Sequence, residues 1–125
     1  MEVDFTIEGD PVGYCTNNGR QYNTKRKKKY LDYKMLVQQC APINLPLEAS
    51  RDEPLIITTV CYFRHGTHPD PENVHKGIKD ALFYGAKGVG DKYTGGQYEP
   101  PLYDRQRPRV EVKIRGQQHG EEEQR

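Results

Sequence analysis

Leu55 to Phe63 reads Leu-Ile-Ile-Thr-Thr-Val-Cys-Tyr-Phe, apolar on both faces of an extended chain rather than alternating in and out. A run of this kind, rich in β-branched residues and bounded by Pro54 and by Arg64-His65-Gly66, is expected to be a strand covered on both sides and so central in a sheet. The chain has 125 residues, only 34% of them hydrophobic, and a mean hydropathy of −0.99, so the core around this strand must be thin. That length fits one domain, expected over 1–116, and a thin core would gain from burying more surface against a second copy. Residues 117–125 are expected to form a disordered polar tail.

The other elements follow from pattern. Val3, Phe5 and Ile7 alternate with Glu2, Asp4, Thr6 and Glu8, a half-buried strand that ends at Gly9-Asp10-Pro11. Residues 13–23 read as a loop with a turn at Asn17-Asn18-Gly19. A helix opens at Thr24 and runs to about Ala41, where Pro42 stops it, with Tyr30, Tyr33, Val37 and Cys40 on one side. A connection over 42–54 leads to the central strand. Residues 86–108 are rich in Gly, Pro and Tyr, and Pro100-Pro101 limits them to a short strand near Gln97–Tyr98. Val110, Val112 and Ile114 alternate in a closing strand.

The segment that follows the central strand carries most of the chemistry. If a helix opens just after Pro71, each residue turns by about 100°. Val74, Ile78, Ala81 and Leu82 then share one stripe, a core-facing pattern. Asn73, Lys76 and Asp80 fall in a sector of roughly 60° pointing away from it. Pro71 suits the first turn, Asp70 and Glu72 lie at the positive end of the helix dipole, and Gly85 stands where a C-terminal cap belongs. Acids at a helix start are ordinary caps, and a Lys76/Asp80 pair is ordinary surface decoration. Here, though, Asp70 and Glu72 alternate, and Asp91 follows beyond the turn Gly85-Ala-Lys-Gly88-Val-Gly90. Three carboxylates with a lysine nearby suit a hard cation held against a phosphate.

This stretch resembles the RusA-type Holliday junction resolvases and their phage-encoded relatives, whose pattern reads His-x-x-Lys-Pro-Asp-x-Asp-Asn-Leu-x-Lys-x-x-x-Asp-Ala-Leu, then a glycine-containing turn and an Asp-Asp pair. His65, Pro69, Asp70, Glu72, Asn73, Lys76, Asp80, Ala81 and Leu82 stand in register, with Asp91 at the expected distance. The first strand, the Gly-Asp-Pro turn, the basic loop, the helix from Thr24 and the closing Pro108-Arg-Val110-Glu-Val112-Lys-Ile114 are also similar, so the likeness spans about residues 3 to 115. Only the central motif is specific. The chain departs from the pattern at Glu72, which replaces an aspartate, and at Asp91, whose neighbours Gly90 and Lys92 leave a single acid taken as the second of the pair. A further departure is His68, which replaces a basic residue, and Gly13-Tyr14-Cys15 stands where a Lys/Arg cluster is usual.

The order of the elements leads to the expectation of an α+β fold, a small mixed β-sheet with two α-helices packed on one face, and the resemblance implies a homodimer that cuts a four-way junction symmetrically. It implies a Mg²⁺-dependent endodeoxyribonuclease, with Mn²⁺ able to substitute. Asp70, Glu72 and Asp91 would be the metal ligands, and Lys76 would contact the phosphate or the attacking water. Asn73 and Asp80 would orient ligands or fix Lys76, and His65 at the strand end would hydrogen-bond Asp70. The implied partners are branched DNA and a second copy of the chain, with no organic cofactor and no membrane.

Charge adds a candidate surface. Net charge is only +1, but Arg20, Lys25, Arg26, Lys27, Lys28 and Lys29 form a block without an acid, and Arg105, Arg107, Arg109, Lys113 and Arg115 form a second cluster. Residues 121–125, with three glutamates and one arginine, carry −2 and leave +3 on the rest. The first block is read as a DNA-binding surface; Tyr14, Tyr22, Tyr30 and Tyr33, which interleave with it, suit either base contacts or packing. Cys15, Cys40 and Cys61 are odd in number and form no Cys-x-x-Cys pair, which suggests a reduced, cytoplasmic setting, and the resemblance implies a bacterial or phage-infected cell. Cys61, His65, His68 and His75 lack the spacing of a zinc site, and His68 and His75 are read as exposed. No signal peptide or transmembrane run is read in the sequence. Two readings from other classes stay open: a catalytically weak or inactive DNA-binding dimer, and a protein-interaction module whose acids only cap a helix.

Overall fold

A computed structural model describes residues 2–15, 24–42, 54–83 and 94–116. Its elements are β1 (Glu2–Glu8), α1 (Thr24–Cys40), β2 (Leu55–Phe63), α2 (Pro71–Leu82), β3 (Thr94–Tyr98), β4 (Leu102–Tyr103) and β5 (Arg109–Gly116). The fold is α+β, a mixed five-stranded sheet with two helices. Its order is β1-β5-β2-β3, and β4 pairs with β2 further along the same edge as β3. β2 is central, antiparallel to β5 and parallel to β3 and β4.

Burial follows the register. Leu55, Ile57, Thr59, Cys61 and Phe63 are buried, while the residues between them are half-buried against the other face. Across the antiparallel pairing Ile57 meets Ile114, Thr59 meets Val112 and Cys61 meets Val110, and Val112 in turn meets Phe5 of β1. Tyr33 and Val37 of α1 and Val74, Ile78, Ala81 and Leu82 of α2 close the same core. Fully burying one such aliphatic side chain contributes about 1.5–3 kcal/mol. No described helix is long and apolar enough to cross a membrane.

The expected short strand near Gln97–Tyr98 is a correction. Two strands run there, β3 with five residues and β4 with two, separated by Pro100-Pro101. The prolines interrupt the ladder without ending it, because this edge needs donors only where β2 offers a carbonyl. Glu99 N–H reaches Thr59 O at 3.1 Å before the prolines, and Asp104 N–H reaches Phe63 O at 2.9 Å after them. An edge strand tolerates such a gap. The segment β2–α2–β3 is thus a parallel crossover unit that leaves the carboxyl end of β2 and the start of α2 at one end of the sheet.

The stripe expected on α2 is also too narrow, because His75 and Gly77 are buried beside it. Gly77 faces α1, where a Cβ would lie 3.1 Å from the Tyr30 ring. His75 faces the sheet, and a Cβ on Gly96 would stand 2.3 Å from its Nε2. Only a glycine in β3 lets the imidazole approach that closely. The proposed cap at Gly85, the turn at Asn17-Asn18-Gly19 and the tail 117–125 lie outside the described residues.

Candidate functional site

The start of α2 is built by its own sequence. Asp70 has an extended backbone and its Oδ1 accepts the Glu72 N–H at 3.0 Å, while Pro71 occupies the first turn. Asn73 and Val74 N–H groups both bond to Asp70 O. Removing such a cap typically costs about 1 kcal/mol. The loop after β1 is clamped to this turn: Tyr14 N–H donates to Asn73 O, and Asn73 Nδ2 donates to Tyr14 O, each at 3.1 Å. Gly13 makes room for the clamp, since a Cβ there would lie 2.9 Å from Asn73 Nδ2.

A cleft of about 590 Å³ opens beside this clamp. Asp70 and Asn73 line it from α2, Arg26 and Lys29 from α1, Asp10 from the turn after β1, and Arg64, His65 and His68 from the segment leaving β2. The fold therefore brings one motif carboxylate, one motif amide and two members of the basic block to a common space. Lys25 and Arg26 are exposed on the same first turns of α1, and Lys28 pairs with Asp32 at 3.0 Å. Arg20 and Asp91 lie outside the described residues.

Lys76 and Asp80 are placed differently from the expectation. Asp80 does not fix Lys76; its Oδ2 accepts the Tyr30 hydroxyl at 2.6 Å and lies 3.0 Å from Lys34 Nζ. Burial works against ionising Asp80, but these hydrogen bonds outweigh it and hold the carboxyl below its usual range. Tyr30 is pushed far above the ordinary phenol, first by burial and then by Asp80. Lys76 is exposed, with Nζ 4.8 Å from the centre of the Tyr14 ring, which itself packs edge-on against Tyr30 at 5.3 Å. Asp80, Tyr30, Tyr14 and Lys76 form one continuous row that leaves α2 at Asp80, passes over Tyr30 of α1 and Tyr14 of the loop after β1, and returns to α2 at Lys76. Tyr30 and Tyr33 are therefore packing residues, and Tyr22 lies outside the described residues.

The histidines need three corrections. His65 Nδ1 accepts the Thr67 N–H at 3.3 Å, whereas the Asp70 bond described is its helix cap, so the expected His65–Asp70 contact is replaced by two local ones. His68 is held rather than exposed. Its ring stacks on Phe63 with centroids 3.7 Å apart, Nδ1–H donates to Pro69 O at 2.7 Å, and Nε2 lies 2.9 Å from the Tyr103 hydroxyl. His75 is buried, its Nδ1 2.7 Å from Thr59 Oγ1. Burial, reinforced by the nearby Lys79 charge, lowers its pKa, so it is neutral at pH 7.

For a hard divalent cation the donor chemistry is suitable: Asp70 keeps Oδ2 without a partner among the described residues, and the exposed Glu72 carboxylate stands two positions on. Among the described residues no three His, Cys, Asp or Glu side chains already converge on one point. Asp10, Arg64 and Tyr103 were not singled out from the sequence. Asp10 reads there as a turn residue, and only the position of Arg64, directly after the central strand, hinted at a site. No family model matches the chain, and no curated protein matches it.

Proposed function

We propose that the chain is a Mg²⁺-dependent endodeoxyribonuclease of the RusA type, acting as a homodimer on four-way DNA junctions in the cytoplasm of a bacterial or phage-infected cell. The observation that carries this reading is the cleft in which Arg26 and Lys29 of α1 face Asp70 and Asn73 of α2. A carboxylate alone would repel a phosphate diester, and cations alone would only bind it. Together they suit a backbone held next to a metal-binding edge.

When bound, the cation would neutralise the scissile phosphate and acidify a water. Asp70 and Glu72 supply oxygens from adjoining positions, with Asp91 as the third. Arg26 and Lys29 hold flanking phosphates, and the other basic residues of the block extend that contact. Asn73 acts through the chain: its clamp on Tyr14 fixes the loop below the Lys76 ammonium. A twofold dimer would present two such clefts to the two strands that a junction requires cut.

Cleavage of labelled four-way, three-way and linear DNA in Mg²⁺, Mn²⁺ or EDTA tests this. Paired, metal-dependent cuts in the four-way substrate are expected. Absence of cutting in either metal refutes the enzyme. The Asp70 cap favours a second reading, a DNA-binding dimer without hydrolysis, because one carboxylate oxygen is already committed to Glu72 N–H. Junction binding in EDTA that is unchanged by added metal, with no cleavage, would select it.

A further inference from the structure

Past Arg64 and His65, away from the cleft, lies an open recess of about 500 Å³ lined by Arg64, His65, Gly66, Tyr103 and Arg105. We propose that this recess is a subsite for single-stranded DNA, with a phosphate held between Arg64 and Arg105 and a base stacked on Tyr103. The proposal rests on the nuclease reading for the nature of its ligand, and it gives that reading a path for the strand leaving the cleft.

Three observations carry it. The first is charge. Arg107, Arg109 and Arg115 are each paired with an acid, whereas Arg105 has no ion pair among the described residues. Arg64 meets Asp10 through Nε at 3.3 Å and the Arg105 carbonyl through a terminal nitrogen at 3.2 Å, which ties the two arginines to one spot. Asp104, the nearest acid in the chain, is taken by Arg109 and by the Gln106 and Arg107 N–H groups. The recess is therefore left net positive.

The second is the ring. Tyr103 lies opposite Phe63 in the ladder and remains 55% exposed. His68, itself stacked on Phe63, meets the Tyr103 hydroxyl and tilts against the ring at 5.5 Å, so the ring is fixed from one side and open on the other. A fixed, exposed aromatic face beside one arginine paired to Asp10 and one with no ion pair among the described residues is an arrangement on which unpaired bases stack. Bases within a duplex cannot reach such a face. An acidic peptide would use the arginines and leave the ring unused.

The third is continuity. Arg64 and His65 line both the cleft and the recess, so a strand crossing Asp70 passes over them into the recess without a change of surface.

The test is fluorescence anisotropy of a short labelled oligothymidylate, which cannot pair with itself, measured in EDTA. Binding is expected, weakened roughly tenfold by Tyr103→Ala, from the loss of one stacked base. Tyr103→Phe keeps the ring and should stay within about twofold. Arg105→Gln should weaken binding and lower the logarithmic salt slope by about 0.7, one phosphate's worth on a single strand. Circular dichroism and thermal melts confirm that the variants fold, and Arg105→Gln, at an exposed position, carries the test if Tyr103→Ala does not. No binding by the wild type, wild-type binding by Arg105→Gln, or polyglutamate competing as well as unlabelled oligothymidylate would each overturn the proposal. Junction cleavage is scored separately in Mg²⁺. No cleavage with Tyr103-dependent binding intact strikes the nuclease reading alone, and normal cleavage without such binding strikes only the subsite.

Discussion

Two stretches of this chain each carry five basic residues, Lys25–Lys29 and Arg105–Arg115, yet the fold uses them differently. Arg107 reaches across to Glu8, Arg115 to Glu2, and Arg109 holds both Asp104 and Glu111 while lying 3.7 Å over the Tyr62 ring. The β1–β5 register supplies two of these pairs, setting Glu2 opposite Arg115 and placing Glu8 opposite Arg109, two residues from its partner Arg107; the acids that Arg109 holds are near it in sequence. Hydrogen bonding from Arg107 holds Glu8 below its usual pKa, as Arg109 does for Asp104. In α1 a side chain finds helical partners only three or four residues away, and the sequence offers Asp32 alone to Lys28. Arg26 and Lys29 instead turn to the cleft.

The contrast predicts that changes on the cleft side alter activity and binding, whereas changes on the β5 side alter stability. The largest effect is expected from Asp70→Asn, which should lower junction cleavage roughly 100-fold or more while junction affinity holds or rises. Wild-type rates in a Mg²⁺ assay would remove Asp70 from the site. Next, Arg26→Gln with Lys29→Gln should cut junction affinity about tenfold at low salt and reduce the logarithmic salt slope by about 1.8, with the melting temperature unchanged. If melting falls instead, these residues belong with the structural cluster.

On the other side, Arg109→Met should lower Tm by roughly 5 °C without changing DNA affinity, because two carboxylates and a ring lose one shared partner. An acid titration of stability separates the buried imidazole from the ion pairs. His75 has a lowered folded pKa, so its contribution is complete above about pH 6.5 and is lost as the pH falls through the folded value. Glu8 and Asp104, also lowered, keep their contribution down to about pH 4 and lose it below. Thermal melts should show the first loss vanish in His75→Gln. The smallest effect is Arg107→Gln, under about 2 °C, because its pair with Glu8 is exposed on both sides.

Much of the architecture was legible in the sequence where periodicity is strong. The alternation of Val3, Phe5 and Ile7 and the stripe Val74, Ile78, Ala81 and Leu82 each state their element and their buried face, whereas the run from Leu55 states its element and central place but not that its odd-numbered residues are the more deeply buried. β3 and β4 were not legible, since Thr-Gly-Gly-Gln-Tyr and Leu-Tyr around two prolines have no strand pattern of their own. They are strands because β2 offers an unpaired edge. The burial of His75 was hidden for the same reason, as it depends on Gly96 arriving from β3 to leave space for the ring.

At the site, the sequence by itself determined the helix start: Asp70 as cap, Pro71 in the first turn and Glu72 beside them, because capping depends only on neighbours in the chain. Tertiary structure alone decided that Asn73 clamps Tyr14, that Asp80 answers Tyr30 and Lys34, and that Arg105 has, among the described residues, no acid of the kind its neighbours hold. Those outcomes rest on contacts between residues far apart in sequence, whose distances are fixed only when strand register and helix packing are.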